Sequence, residues 1–522
     1  MKLNLKLNLI LLIGLITYIS LWANYPFSFN ASDPWGYSIR AFDISQGTFF
    51  DNPDDFVFSH RLGITLPTSF FYAIWGVNQF STHAITLISA LVIIITIWFA
   101  SPTPGSKIYA LVLSLTSVSL FKYSVDLYPD IIVTAWVALS SLLLFNRHKF
   151  IDSKLWLVPV IATCLLFFAF LAKMSAYWVL PLWIMALLSD WKQKNIKAFT
   201  HFYAPAIIVG IILLISYLYF CYLYWGDPLI RFHNIQSMTK THLWSFESGN
   251  TQQLIDRLSI KPVILFYNTF GLLLVLTLLS LFKLPTQLKP WLYYLLFTIF
   301  FFWFGTTSFS DYQPIVPIER VILVCLPGFI ILSAYFLSQL RIPVINSYQL
   351  LHQTIKIIIL IIACLPFIIY ISSWGIMHDA SAESMSIVKQ EANAYPDKQS
   401  LLITSDLRSK DSLKYFFGYK YPKNIHVISA EQLPELINKG LNYKKILIYI
   451  DNQLSMFLYR AYGNDFYDEL IYKMEFNLIY KRNQVFLYDV IKEEKLIKLN
   501  NVIKEKYPNK HYIGIVNSTK NN

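Results

Sequence analysis

The chain has 522 residues, of which 55% are hydrophobic, 17% aromatic and only 14% charged, with a formal net charge of +12. A soluble domain carries roughly 25% charged residues, so this composition excludes an ordinary water-soluble globular protein. The Lys and Arg residues fall in short blocks between apolar runs rather than in one patch or stripe, which argues against a nucleic-acid partner.

The apolar runs have the length, about 20 residues, that carries a helix across a hydrocarbon core. Eleven spans are expected, at roughly 5–23, 82–100, 107–125, 129–146, 155–172, 174–189, 202–224, 263–282, 290–307, 320–339 and 356–374. The first follows Lys2 and Lys6 and reads as a retained helix rather than a cleaved signal peptide. Lys and Arg concentrate in short segments such as 147–154 and 192–197, while the alternate loops are longer and poorer in them. By the positive-inside rule the basic segments are cytoplasmic. The N-terminus is then inside, and the chain after the last span lies outside. Cys164, Cys221, Cys325 and Cys364 all fall within expected spans and form no CxxC pair. They read as small apolar packing residues, not as a disulfide framework or a thiolate metal site.

Two outer loops are long. Loop 24–81 holds Ser32-Asp33-Pro34-Trp35-Gly36-Tyr37, just beyond the first span. A carboxylate at this boundary stays ionised and reaches a headgroup-borne substrate, as a general base or metal ligand would. Helix capping by Ser32 or Asp33 ahead of Pro34 is the structural alternative, and the two can coexist. Further along comes Ser59-His60-Arg61-Leu62-Gly63, where Arg61 can pair with a phosphate or snorkel to headgroups. Loop 225–262 is polar and mixed in charge.

Between the third and fourth spans, Asp126 and Asp130 stand four residues apart in Asp126-Leu127-Tyr128-Pro129-Asp130. Acids at the mouth of a span are costly and usually functional, though they can simply mark helix ends. Lys173 stands alone between two apolar runs, as a snorkelling anchor or a phosphate ligand. Glu319-Arg320 opens the tenth span from the outer side; an ion pair between Glu319 and another span is the structural reading there. All these residues sit at outer span ends. Acids (Asp33, Asp126, Asp130) and cations (Arg61, Lys173, Arg320) would converge if the helices bundle. Transfer from a phosphorylated donor needs an acid to orient or deprotonate a hydroxyl. It also needs cations, with or without a divalent ion, to stabilise the leaving phosphate.

After residue 375 the pattern changes. Strands are expected at 401–404, 425–428, 446–450, and as a hairpin at 476–480 with 485–488; helices are expected at 410–417 and 431–438. The alternation argues for a small α/β domain over 375–522, following a membrane domain over 1–374. No GxGxxG or Walker-type loop occurs there, and the Lys/Asn-rich tail after Lys492 reads as a solvated helix with a frayed end.

The ordered set of motifs resembles the lipid-carrier-dependent membrane glycosyltransferases of the GT-C fold, in their protein O-mannosyltransferase, aminoarabinose transferase and bacterial lipopolysaccharide glycosyltransferase branch. The acid-and-Tyr motif of the first outer loop looks like Asp33 and Tyr37, continued by Ala41 and Gly47. The following His-basic-Pro-aromatic-Gly stretch looks like His60, Arg61, Pro67, Phe71, Tyr72 and Gly76. Pro129-Asp130, Lys173 and Arg320 with Leu326-Pro327 are similar to the later motifs. The resemblance covers roughly residues 1–340.

With the apolar runs and the later strand–helix alternation, the expected protein is a polytopic α-helical membrane protein of about eleven transmembrane helices, GT-C-like, with a C-terminal soluble α/β domain that is not the conserved part of that fold. What the resemblance implies concerns the membrane part. It implies a polyprenyl-phosphate sugar donor, an outer-face site and Asp33 as general base. Asp130 would join it in catalysis, with Tyr37, His60, Arg61, Asp126, Lys173 and Arg320 binding substrate. The acceptor would be a glycan, glycolipid or protein, and the setting a bacterial inner membrane. This sequence departs from the family in having Pro34 where a second acid is common, and Leu62-Gly63 where a second Pro is absent. Metal dependence and acceptor stay open. The C-terminal domain is expected to help bind an acceptor or partner. A lipid-linked-glycan transporter and a glycan polymerase or ligase are the other readings. Transporters favour mid-span charges in repeated halves, and neither shows here.

Overall fold

The computed structural model describes residues 2–25, 32–49, 58–152, 155–241, 257–306, 315, 318–340, 349–393, 400–404, 414–415, 417–429, 443, 445–451, 477–482 and 485–489. The chain divides into two compact units, Met1–Ile376 and Met377–Asn522.

The first unit is helical throughout. It contains α1 (Lys2–Ala23), α2 (Ser32–Ser45), α3 (Leu62–Trp75), α4 (Gln79–Ala100), α5 (Pro104–Leu115), α6 (Val118–Ser124), α7 (Pro129–Phe145), α8 (Arg147–Asp152), α9 (Leu157–Ala172) and α10 (Leu180–Lys192). Then follow α11 (Ile196–Trp225), α12 (Ile230–Thr241), α13 (Lys261–Phe270), α14 (Leu272–Ser280), α15 (Lys289–Phe304), α16 (Glu319–Gln339) and the part of α17 (Gln349–Asn393) up to Ile376. Among the described residues, five helices are long and apolar enough to cross a membrane singly: α1, α4, α11, α16 and the 353–372 part of α17. Two further spans are broken. The α5–α6 pair bends by 54°, and the α13–α14 pair by 104°. The sharper bend sits at Gly271, whose φ of +52° disfavours a side chain. Helices α3, α7 and α9 are apolar but shorter.

Of the eleven expected spans, seven coincide with these five helices and two bent pairs, and two more, at 129–146 and 155–172, with the shorter apolar helices α7 and α9. The expected outer loop 24–81 is itself largely helical, containing α2 and α3. They were hidden because α2 is polar in composition and α3, though apolar, has only 14 residues.

Burial is polarised as a bilayer demands. Large apolar side chains of α1, α11 and α17 point outward, among them Leu9, Ile16, Ile211, Ile215, Ile361 and Ile368. Inside, α4 and α7 pack against one another, and both bury small and hydroxylated residues, including Thr86, Ser89, Ala90, Ala135, Ala138 and Ser141. Small residues let helix backbones approach closely where no hydrophobic effect drives association. Hydroxyls bridge the helices too. Tyr18 donates to Ser124 Oγ at 3.0 Å, Trp22 Nε1 to the Ser124 carbonyl at 2.9 Å, and Thr86 to that same carbonyl at 2.9 Å.

Helix α7 fixes the two ends of the bundle. Its C-terminal end leads into Arg147, which donates to both carboxylate oxygens of buried Asp190 at 2.6 and 2.8 Å. The Tyr203 hydroxyl donates to Asp190 as well, at 2.9 Å. Its N-terminal end carries Asp130, about 25 Å away by helical rise.

In the second unit a five-stranded sheet runs β2-β1-β3-β5-β4, where β1 is Ser400–Thr404, β2 Ile425–Ser429, β3 Lys445–Asp451, β4 Asn477–Arg482 and β5 Val485–Asp489. Strand β1 is parallel to both neighbours, with Leu402 opposite Val427 and Leu447. Strands β4 and β5 form the antiparallel edge. Val388, Leu402, Ile425, Val427, Leu447 and Tyr449 make its core. The helix expected at 431–438, most of that at 410–417, and the tail after Lys492 lie outside the described residues.

Candidate active site

Asp33 lies in the first turn of α2, where the helix N-terminus favours a negative charge. Its Oδ2 accepts from Arg320 Nη1 at 2.8 Å, and the Arg320 guanidinium also covers the Tyr128 ring at 4.8 Å. The pair is partly open, with 28% of Asp33 and 30% of Arg320 exposed, so water or a ligand can reach it.

Antiparallel packing of α7 and α9 builds a second pair. Helix α9 ends at Ala172, and Lys173 continues in extended conformation before a short 3-10 turn, Met174–Val179. This sends the Lys173 ammonium to Asp130 Oδ1 at 2.5 Å, with the carboxylate almost fully buried. Asp126, in the turn ahead of α7, is buried and accepts the Leu127 N–H at 2.9 Å. Burial pushes its carboxyl up to about 7, against the Leu127 N–H and the charges of Arg320 and Lys122.

Arg61 precedes α3, and its Nη1 donates to the Tyr37 hydroxyl. Two glycines allow the approach. A Cβ on Gly63 would stand 2.3 Å from the Ala172 amide nitrogen and 2.7 Å from the Phe168 carbonyl, so α3 rests on the backbone of α9. A Cβ on Gly36 would meet the Phe58 ring at 2.3 Å. His60 is buried, its ring edge-on to Trp225 with centroids 4.7 Å apart. Burial pushes the Arg61 guanidinium down to about 10. Asp33 and Asp130 oppose that fall, and the charges of Arg231 and Arg320 add to it.

Arg231 was not among the expected residues. Helix α11 stops at Gly226, which takes a left-handed φ of +71° while its N–H donates to Tyr222 at 2.9 Å. Asp227 then accepts the Leu229 N–H at 2.8 Å and His233 Nδ1 at 2.6 Å, starting α12. The turn drives Arg231 inward. Its side chain is 1% exposed, lies 5.2 Å over the Phe170 ring beside the Tyr217 hydroxyl, and no carboxylate reaches it at hydrogen-bonding distance among the described residues. A buried cation without a counter-charge is costly unless something anionic joins it.

All eight sequence-derived residues therefore lie at one end of the first unit, with Arg231 added. Two acids are matched by two cations, while Arg61 and Arg231 face no carboxylate at hydrogen-bonding distance among the described residues. Such an arrangement leaves two guanidiniums with the donors to accept an oxyanion. Among the described residues no three His, Cys, Asp or Glu side chains gather closely enough to hold a metal ion.

No protein-family model and no curated protein matches this sequence. Solved structures do. ArnT from Cupriavidus metallidurans bound to undecaprenyl phosphate superposes with a TM-score of 0.57 at 13% identity, over 94% of this chain and 98% of that one. The apo structure of the same protein gives 0.55 at 10% identity, over 92% and 97%. The chain has a GT-C-like fold. The likeness extends along nearly the whole length of both chains, so it includes the helical unit that carries the site.

Proposed function

We propose that this chain is a membrane glycosyltransferase that moves a sugar from a polyprenyl-phosphate carrier to an acceptor hydroxyl. The observation that carries the reading is the pair of guanidiniums without carboxylates, Arg61 and Arg231, beside the ion-paired acids Asp33 and Asp130. The ArnT structure with undecaprenyl phosphate supports the donor class. Arg61 and Arg231 grip the carrier phosphate. Arg320 and Lys173 add positive charge where the phosphate gains negative charge as the sugar leaves.

In the reaction the acceptor oxygen attacks the anomeric carbon. The bond from that carbon to the phosphate oxygen breaks, and the phosphate keeps the electron pair. Asp33, paired with Arg320, takes the acceptor proton. The acceptor is a glycolipid, polysaccharide or protein of the cell envelope. The site faces away from the cytoplasm, because it lies at the opposite end of α7 from Arg147 and the basic segments.

The test is mass spectrometry of envelope glycans from cells in which the wild-type chain is replaced by Asp33→Asn at equal abundance. The reading expects one glycosyl increment to disappear. Glycans identical to those of wild-type cells would remove Asp33 from the mechanism.

A further inference from the structure

Glu319 and Arg320 are neighbours in the first turn of α16, yet they engage different helices. Successive helical residues point about 100° apart, so one turn can reach two partners. Arg320 reaches Asp33 on α2. Glu319 reaches α6: its Oε2 accepts Lys122 Nζ at 2.7 Å, and its Oε1 accepts the Ser119 hydroxyl at 3.4 Å. The Ser119 hydroxyl is also 3.3 Å from the Thr269 carbonyl, next to the Gly271 bend. The Lys122 ammonium is steadied over the Tyr123 ring at 5.4 Å.

The start of α16 is therefore held from two sides, by Lys122 through one residue and by Asp33 through the next. The Lys122–Glu319 pair is 30% and 33% exposed, so its own share of fold stability is small. Its geometric effect is larger. Rotation of this turn would carry the Arg320 guanidinium off Asp33, and misplacement of a catalytic group by about 1 Å can cost on the order of 100-fold in rate.

We propose that Lys122 and Glu319 are positioning residues: their ion pair fixes the rotation of the first turn of α16, and so delivers Arg320 to Asp33 and to the carrier phosphate. The assignment rests on the glycosyltransferase reading for its consequence, but not for its geometry.

Two measurements test it. The first is a thermal double-mutant cycle on the purified full chain in nanodiscs, with Lys122→Met, Asp33→Asn and both together. Coupling through Glu319-Arg320 makes the double variant lose less than the sum of the two small single losses, by up to about 1 °C. Strictly additive losses overturn the proposal. The second compares undecaprenyl phosphate binding with sugar transfer in cells. Lys122→Met should bind the carrier within about 3-fold of wild type yet transfer at least ~10-fold less. Lys122→Arg should restore transfer, and the exchange Lys122→Glu with Glu319→Lys should restore it in part. Equal loss of binding and transfer, with no rescue by Lys122→Arg, assigns the pair a merely structural role and overturns the proposal. If the wild-type chain transfers no sugar, the glycosyltransferase reading falls, and the thermal cycle alone decides whether the pair holds Arg320 in place.

Discussion

Arg320 Nη1 lies 2.8 Å from Asp33 Oδ2, joining the first turn of α16 to the first turn of α2 across 287 residues of sequence. Both partners are about a third exposed, so the pair contributes only about 0–1 kcal/mol to folding. Its chemical role is larger, because the same guanidinium can turn from the carboxylate to a phosphate. Arg320→Ala is expected to leave the thermal midpoint of the purified protein nearly unchanged. Transfer should fall on the order of 100-fold or more, as for loss of a preorganised donor to a developing charge. A variant that unfolds early, or one that transfers normally, would contradict this division between stability and chemistry.

Arg231 is the reverse case. It is buried without a counter-charge among the described residues, so the empty protein bears its desolvation cost. Arg231→Met keeps the length and the contact with Phe170 and removes the charge. The variant should melt higher than wild type. It should bind undecaprenyl phosphate roughly 10- to 100-fold more weakly, the worth of about 1.5–3 kcal/mol for a charged hydrogen bond. Calorimetry and a binding titration on one preparation read both. A less stable protein with intact binding would mean that Arg231 has a structural partner.

Gly63 is where the packing behind Arg61 can be broken without touching a charge. An added methyl would meet the Ala172 amide and the Phe168 carbonyl, backbone atoms that cannot rotate away. Gly63→Ala should therefore push α3 from α9 and cost about 1–3 kcal/mol, as overpacking does. It should weaken carrier binding as well, since Arg61 moves with α3. A normal thermal midpoint would show that the two helices slide apart at little cost.

The acids and cations were legible because a charge beside a long apolar run stands out. Asp33, Asp130, Lys173 and Arg320 each interrupt such a run or adjoin one. Their partners were not legible: Asp130–Lys173 and Asp33–Arg320 follow from helix packing, which spacing along the chain does not encode. The strands of the second unit showed as β-branched and aromatic runs such as Lys445–Asp451. Arg231 was hidden because loop 225–262 reads as polar and mixed in charge. The available signal was local: Leu229, Ile230 and Phe232 surround one Arg just past a span, a pattern that buries rather than solvates it. The breaks at Thr116–Ser117 and Gly271 were missed because uncharged residues run through both without a Pro.

Asp126 gives the site a pH dependence whose sign is fixed. Its carboxyl is raised from the ordinary carboxylate value to about 7, with burial as the largest cause. The folded protein then holds a proton that the unfolded chain has released, at every pH between the two values. Stability from this group is complete below the unfolded value and is lost as pH rises through about 7. The thermal midpoint of the wild-type chain should therefore decline between roughly pH 5 and pH 8 relative to that of Asp126→Asn, which carries no titrating group there. Below the folded value the site is also one charge more positive, which favours an anion. Wild type and Asp126→Asn should thus bind undecaprenyl phosphate alike below about pH 6, and wild type the more weakly as pH rises through about 7, once the second ionisation of the phosphate near 6 is cancelled by comparing both proteins at each pH. Parallel melting curves for the two proteins across that range would place the Asp126 proton elsewhere.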